Sequence, residues 1–212
     1  MKGPRFIVTG TDTDVGKTVF AAALTGALSA SYWKPVQAGC DAQGLGDKER
    51  ISLLSGTPHD RILAEAYRLS TPCSPHLAAQ IDKVEIDPNK LELPRVNGPL
   101  IVEGAGGVLV PLTHSLLFAD IFARWACPTI LVARTTLGTI NHSLLSIEAL
   151  RSRGVPIHGI AFCGEENPDS QAIIAQIGQV RLLGRLPMLD RLDRETLSEA
   201  FQRNFNIADF RS

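Results

Sequence analysis

Phe6-Ile-Val-Thr-Gly-Thr-Asp-Thr-Asp-Val-Gly-Lys-Thr18 decides the architecture: an apolar, β-branched run feeds a glycine-bearing loop that ends in Gly-Lys-Thr, and an Ala/Leu-rich helical stretch follows at once. This is how a phosphate-binding loop is built. Gly16 lets the backbone approach closely, successive N–H groups face phosphate oxygens, and the positive end of the next helix lies behind them. Lys17 is placed to reach the transferred phosphate and Thr18 to reach magnesium. The usual spacing sets the first glycine five residues before the second, but that position is Thr11, and Gly10 comes one residue too early. The loop is a variant of the common pattern.

Outward from the loop, short apolar runs alternate with helix-like segments. Phe6 to Thr9, Trp33 to Val36, Leu100 to Val102, Thr129 to Val132, Ile157 to Phe162 and Leu182 to Leu186 read as strands buried on both faces. Lys17 to Ser29, Asp47 to Leu54, Leu116 to Trp125, Asn141 to Arg151, Ser170 to Ile177 and Glu195 to Arg203 read as helices. The alternation predicts an α/β fold, three layers α/β/α around a mostly parallel sheet of the P-loop NTPase kind. Ligands then gather at the carboxyl ends of the strands, where Gly10, Lys34 to Gly39, Glu103 to Gly107 and Arg134 to Gly138 all fall. The stretch from Leu69 to Pro94, with four prolines, is expected to hold loops and short helices, so residues 1–212 are expected to form a single domain.

Composition narrows the function classes. Apolar residues make up 44% and charged ones 20% of 212, which is ordinary for a globular chain. A net charge of −1 supplies no basic field for nucleic acid. No apolar run approaches the roughly 18 residues of a membrane span, and no secretory core follows Met1, so a cytoplasmic protein is expected. Cys40, Cys73, Cys127 and Cys163 lie far apart without a Cys-x-x-Cys pair, and the five histidines form no metal-ligand spacing. Reduced thiols and no zinc are expected.

Leu100-Ile-Val-Glu103-Gly-Ala-Gly-Gly107 delivers a carboxylate at a strand tip and then a flexible turn, the arrangement that orients magnesium beside the hydroxyl of a phosphate loop. Lys34 ends another strand, where Pro35 fixes the backbone behind it. Asp47 has two readings, a magnesium ligand or a helix N-cap, and spacing alone favours the cap. Gly138 to Asn141 reads, by itself, as a helix cap.

Together these motifs resemble one family closely. Val-Thr-Gly-Thr-Asp-Thr-Asp-Val-Gly-Lys-Thr, Trp-Lys-Pro-Val-Gln-Ala-Gly, Ser-Pro-His-Leu-Ala-Ala, Val-Glu-Gly-Ala-Gly-Gly and Leu-Gly-Thr-Ile-Asn-His occur in the order found in dethiobiotin synthetases, from residue 6 to about residue 189. The resemblance implies a ligase that uses ATP and Mg2+ to join diaminopelargonate and carbon dioxide (or bicarbonate) into dethiobiotin, as a homodimer with its substrate site at the interface. It implies catalytic roles for Lys34, Lys17 and Thr13, and a metal set of Thr18, Asp47 and Glu103. The nucleotide would meet Asp14, Val15, Gly16, Lys17, Thr18 and Val19, then Asp47, Glu103, Gly104, Ala105 and Gly106, and finally Pro187, Met188 and Leu189. The substrate would meet Thr13, Lys34 and Ala38, with Gly138, Thr139, Ile140 and Asn141 supplied across the interface.

Two positions depart from the family pattern. Ala38 stands where a hydroxyl often hydrogen-bonds substrate, and Cys163-Gly164 where an Asn-Asp-type pair reads the adenine edge. A thiol replaces a carboxamide poorly, so base selectivity is expected to relax or shift unless Glu165, Glu166 or Asn167 takes over. The competing readings are a partitioning-type ATPase switch, for which the loop lacks an early lysine, an amidotransferase-linked ligase, for which the chain is too short, and a non-catalytic nucleotide binder.

Overall fold

The computed structural model describes residues 2–211. A six-stranded sheet runs in the order β2-β5-β1-β6-β7-β8, and every pairing in it is parallel. Its strands are β1 (Lys2–Gly10), β2 (Ser31–Trp33), β5 (Gly98–Gly107), β6 (Thr129–Arg134), β7 (Ile157–Cys163) and β8 (Leu182–Leu186). A second, two-stranded parallel sheet pairs β3 (Val36–Ala38) with β4 (Tyr67–Leu69). The helices are α1 (Lys17–Leu28), α2 (Asp47–Ser55), α3 (Pro75–Asp82), α4 (Phe118–Trp125), α5 (Thr139–Arg151), α6 (Pro168–Gly178) and α7 (Arg194–Asn204).

Side chains alternate across each strand, and this produces the three layers. Phe6, Val8, Tyr32, Ile101 and Val132 face a core completed by Phe20 and Leu24 of α1, Ile51 of α2 and Phe201 of α7. Ile7, Val102, Leu131, Ile160 and Phe162 face the opposite core, closed by Phe118 and Phe122 of α4, Ile147 of α5 and Ile174 of α6. No helix among the described residues is long and apolar enough to cross a membrane.

The expected strand from Trp33 to Val36 is in fact two strands. β2 stays on β5 as far as Trp33, paired with Val102, and the chain then leaves the main sheet. Pro35 has no N–H to give to a ladder, and its carbonyl accepts from Tyr67 N at 3.0 Å, which turns the following residues toward β4. Lys34 occupies the joint between the two sheets. Around α3 the proline-rich stretch holds loops and short helices, as expected, with a 3-10 turn over Pro88–Lys90.

Candidate active site

β1 ends at Gly10, and the loop to α1 crosses the carboxyl edge of the sheet. Gly16 caps α1 in the left-handed region, with φ 94°. A Cβ there would lie 2.7 Å from Cys163 Sγ, so the glycine is required for space as well as for φ. Lys17 reaches back to the Asp12 carbonyl at 2.6 Å. Burial, opposed by Glu103, lowers its pKa to about 8.

Below the loop, β5 presents Glu103, which is 0% exposed. Its Oε1 accepts from Thr18 Oγ1 at 2.7 Å and from Lys34 Nζ at 3.3 Å, and its Oε2 accepts from the Tyr32 hydroxyl at 2.8 Å. The Lys34 ammonium also pairs with Asp47 Oδ2. Burial alone would pull the Lys34 pKa down, but Glu103 and Asp47 outweigh it and hold the pKa above its ordinary value. For the Tyr32 phenol, burial and then Glu103 act together and push its pKa well up. Two carboxylates, two hydroxyls and an ammonium thus converge although they come from β5, α2, α1, β2 and the β2–β3 joint.

Asp47 does not cap α2, contrary to the reading that spacing favoured. The N-cap is Gly46, whose N–H is taken by Glu49 Oε2 at 2.8 Å, and Asp47 is the first helical residue. Gln37 Oε1 accepts from the Asp47 N–H. With its backbone held this way, the Asp47 side chain is left to meet Lys34.

Two cavities meet at the loop. One, about 760 Å3, contains Thr13, Lys17, Thr18, Lys34, Ala38, Asp47, Glu103, Ala105 and Gly106, with Gln37 and Pro72–Pro75 in its wall. The other, about 680 Å3, contains Val15, Cys163, Gly164, Asn167, Pro187, Met188 and Leu189. Asp14, Gly16 and Val19 line both.

Five expected site residues line neither cavity. Gly104 has the Phe122 ring 2.8 Å from where its Cβ would be, so it serves close packing on the α4 side. Gly138, Thr139, Ile140 and Asn141 open α5 outside both cavities, with the Thr139 hydroxyl spent on the Arg134 carbonyl and Leu137 beside them fully exposed. Asn167 is committed as well: its Oδ1 caps α6 by accepting from Ser170 N, and its Nδ2 donates to the Thr135 carbonyl.

Sequence reasoning missed Tyr32 and Gln37. Both look like strand filler in sequence, and the only signal was their place within three residues of Lys34.

A family model described as an AAA domain matches residues 4–196. Curated relatives match end to end. The ATP-dependent dethiobiotin synthetase BioD of Rhodopseudomonas palustris (strain BisB18) is 61% identical over 209 residues, covering 99% of each chain. The protein of that name from Agrobacterium fabrum (strain C58) is 59% identical, covering 97% of this chain and 96% of its own. Among solved structures, a chain of the MinC:MinD cell division complex of Aquifex aeolicus aligns with TM-score 0.55 at 12% identity over 94% of each chain. A ParA family ATPase of Chlorobium tepidum aligns with TM-score 0.51 at 11% identity, over 96% of this chain and 90% of its own. These two share the fold alone.

Proposed function

Because the chain belongs to the ATP-dependent dethiobiotin synthetase family, we propose that it closes the ring of dethiobiotin from diaminopelargonate, carbon dioxide and ATP, releasing ADP and phosphate. The observation that carries this reading to particular residues is the Lys34 ammonium, set between Asp47 and Glu103 in a cavity that adjoins the phosphate loop.

ATP would lie across the loop, with phosphates in the first cavity and base in the second, which Pro187, Met188 and Leu189 line. The oxygen set of Thr18, Asp47 and Glu103 suits Mg2+, which prefers a few protein oxygens completed by phosphate and water. That a side-chain cation already bridges the two carboxylates supports the same position. When bound, Mg2+ would neutralise charge on the transferring phosphoryl group.

One substrate amine attacks carbon dioxide and loses a proton, giving a carbamate. A carbamate oxygen takes the γ-phosphoryl group. The second amine then attacks the activated carbonyl carbon, the C–O bond to the phosphate breaks, and phosphate leaves with the amine's proton passing to it or to water as the ring closes. Negative charge gathers at each stage, so Lys17, Lys34 and the loop N–H groups act by electrostatic stabilisation and positioning, and no protein nucleophile is needed. Thr13 lies at the rim of the first cavity and orients substrate beside the phosphates.

We place the protein in the cytoplasm and read it as a homodimer in which the α5 N-terminus of one copy receives the substrate carboxylate bound in the other. The exposed Leu137 and Ile140 at that helix start support a protein contact there. ADP release should be measured with magnesium-ATP and bicarbonate, with and without diaminopelargonate, while dethiobiotin is followed by mass. Diamine-dependent ADP release with dethiobiotin is the expected result; ADP release that ignores the diamine refutes the ligase reading.

A further inference from the structure

Tyr32 is the one uncharged side chain bonded to the central carboxylate from the sheet itself. It stands on β2 opposite Ile101 of β5, and side-chain alternation puts Glu103 on the same face two residues further on. The ring is fully buried in the core cluster that includes Ile101, Phe20 and Ile51. Its hydroxyl takes Glu103 Oε2, while Thr18 and Lys34 share Oε1. Each oxygen of the carboxylate therefore has a different environment, and rotation about its terminal torsion would break the phenol contact. Such torsions are broad and nearly two-fold when nothing holds them.

We propose that Tyr32 is a positioning residue for the divalent cation: its phenol clamps Oε2 so that Oε1 alone is presented, beside the Thr18 hydroxyl, to the first cavity. Outer partners of ligating carboxylates set metal affinity over about 10–100-fold. The same clamp keeps the carboxylate from turning both oxygens toward Lys34, which competes for it. This rests on the reading that Glu103 serves the metal.

The test is Tyr32→Phe, which keeps the buried ring and removes only the hydroxyl. Mn2+ is titrated into the ADP-saturated protein, free Mn2+ is read by electron paramagnetic resonance, and metal-free ADP affinity is measured alongside. Tyr32→Phe should bind Mn2+ about tenfold or more weakly, with metal-free ADP affinity unchanged. Glu103→Gln separates the two layers of argument. If Glu103→Gln weakens Mn2+ binding and Tyr32→Phe leaves it within about twofold of the parent, the clamp is overturned while the metal site stands. If neither variant changes Mn2+ binding, the metal reading falls and takes the clamp with it. Should Tyr32→Phe not fold, the parent protein still decides. It has two tyrosines, so with ring-labelled tyrosine, and Tyr67→Phe for assignment, Mg2+ added to the ADP complex should move the Tyr32 signal. A Tyr32 signal that stays in place overturns the proposal.

Discussion

Lys34→Gln removes one charge from the point where two carboxylates meet, and the structure sets the size of the effect. Glu103 is fully buried and the Asp47 side chain is 26% exposed, so both depend on Lys34 when no metal is present. Removing one partner of a buried pair costs about 3–5 kcal/mol, because the remaining charge is left uncompensated. Here Thr18 and Tyr32 still donate to Glu103, and Asp47 keeps some water, so the low end, about 3 kcal/mol, applies. For a chain of this size each kcal/mol moves Tm by about 2–4 °C, which gives about 6–12 °C for the metal-free variant. Saturating Mg2+ and ADP should close most of that gap, since the metal replaces the lost cation. Turnover behaves in the opposite way. Removing one preorganised charge from the transition state lowers kcat about 10²–10³-fold, with ATP affinity nearly kept. The assays are thermal denaturation with and without Mg-ADP, and steady-state kinetics. A metal-free variant that melts within about 2 °C of the parent, or equal losses in turnover and ATP affinity, would refute the reasoning.

Burial holds the Lys17 pKa at about 8, below its ordinary value of 10.5. Between these two values the unfolded chain keeps a proton that the folded one has released, so this group makes stability rise with pH across that window. Phosphate binding needs the charged form; metal-free ADP should therefore bind more weakly as pH climbs past 8, taking up a proton, and a binding enthalpy independent of buffer ionisation at about pH 8.5 would contradict this. With Cys163 at the strand end and the Asn167 amide committed to α6 and Thr135, ATP, CTP and GTP should support turnover within about a hundredfold of one another, since a site without matched polar groups discriminates poorly. A steeper ATP preference in kcat/KM would refute this and assign base reading to backbone groups near Pro187 or to Glu165 and Glu166, which line the same cavity. Leu137→Asp, on a fully exposed side chain, should shift sedimentation toward monomer and raise the KM for diaminopelargonate; an unchanged dimer would place the interface elsewhere.

The phosphate loop, the Glu103 strand and the layered sheet were legible because each is a contiguous run whose pattern is local. Asp47 was not. An aspartate that caps a helix and one that opens it with a free side chain both stand at a helix start, and only the Gly46 cap and the Gln37 contact show that Asp47 is the second kind. Three-residue strands are too short to show a period, so β3 and β4 were invisible, and the run through Lys34 looked continuous across a proline that in fact ends it. Tyr32 illustrates another limit. In a strand tyrosine is an ordinary apolar choice, and its hydroxyl gains meaning only when β2 lies against β5.

The proline that diverts the chain after Lys34 also divides the labour of the protein. The phosphate loop and Glu103 belong to the six-stranded sheet, whereas Gln37, Ala38 and Pro72–Pro75, which wall another side of the first cavity, hang on the small β3–β4 ribbon and the segment that leads from β4 into α3. Neither ribbon strand contributes a hydrogen bond to the main ladder. That side of the cavity, which the proposed function gives to the diamine, can therefore be reshaped, by natural drift or by design at Ala38 and Cys73, without disturbing the main-sheet backbone that carries the phosphate loop, and Lys34 sits where the two halves join.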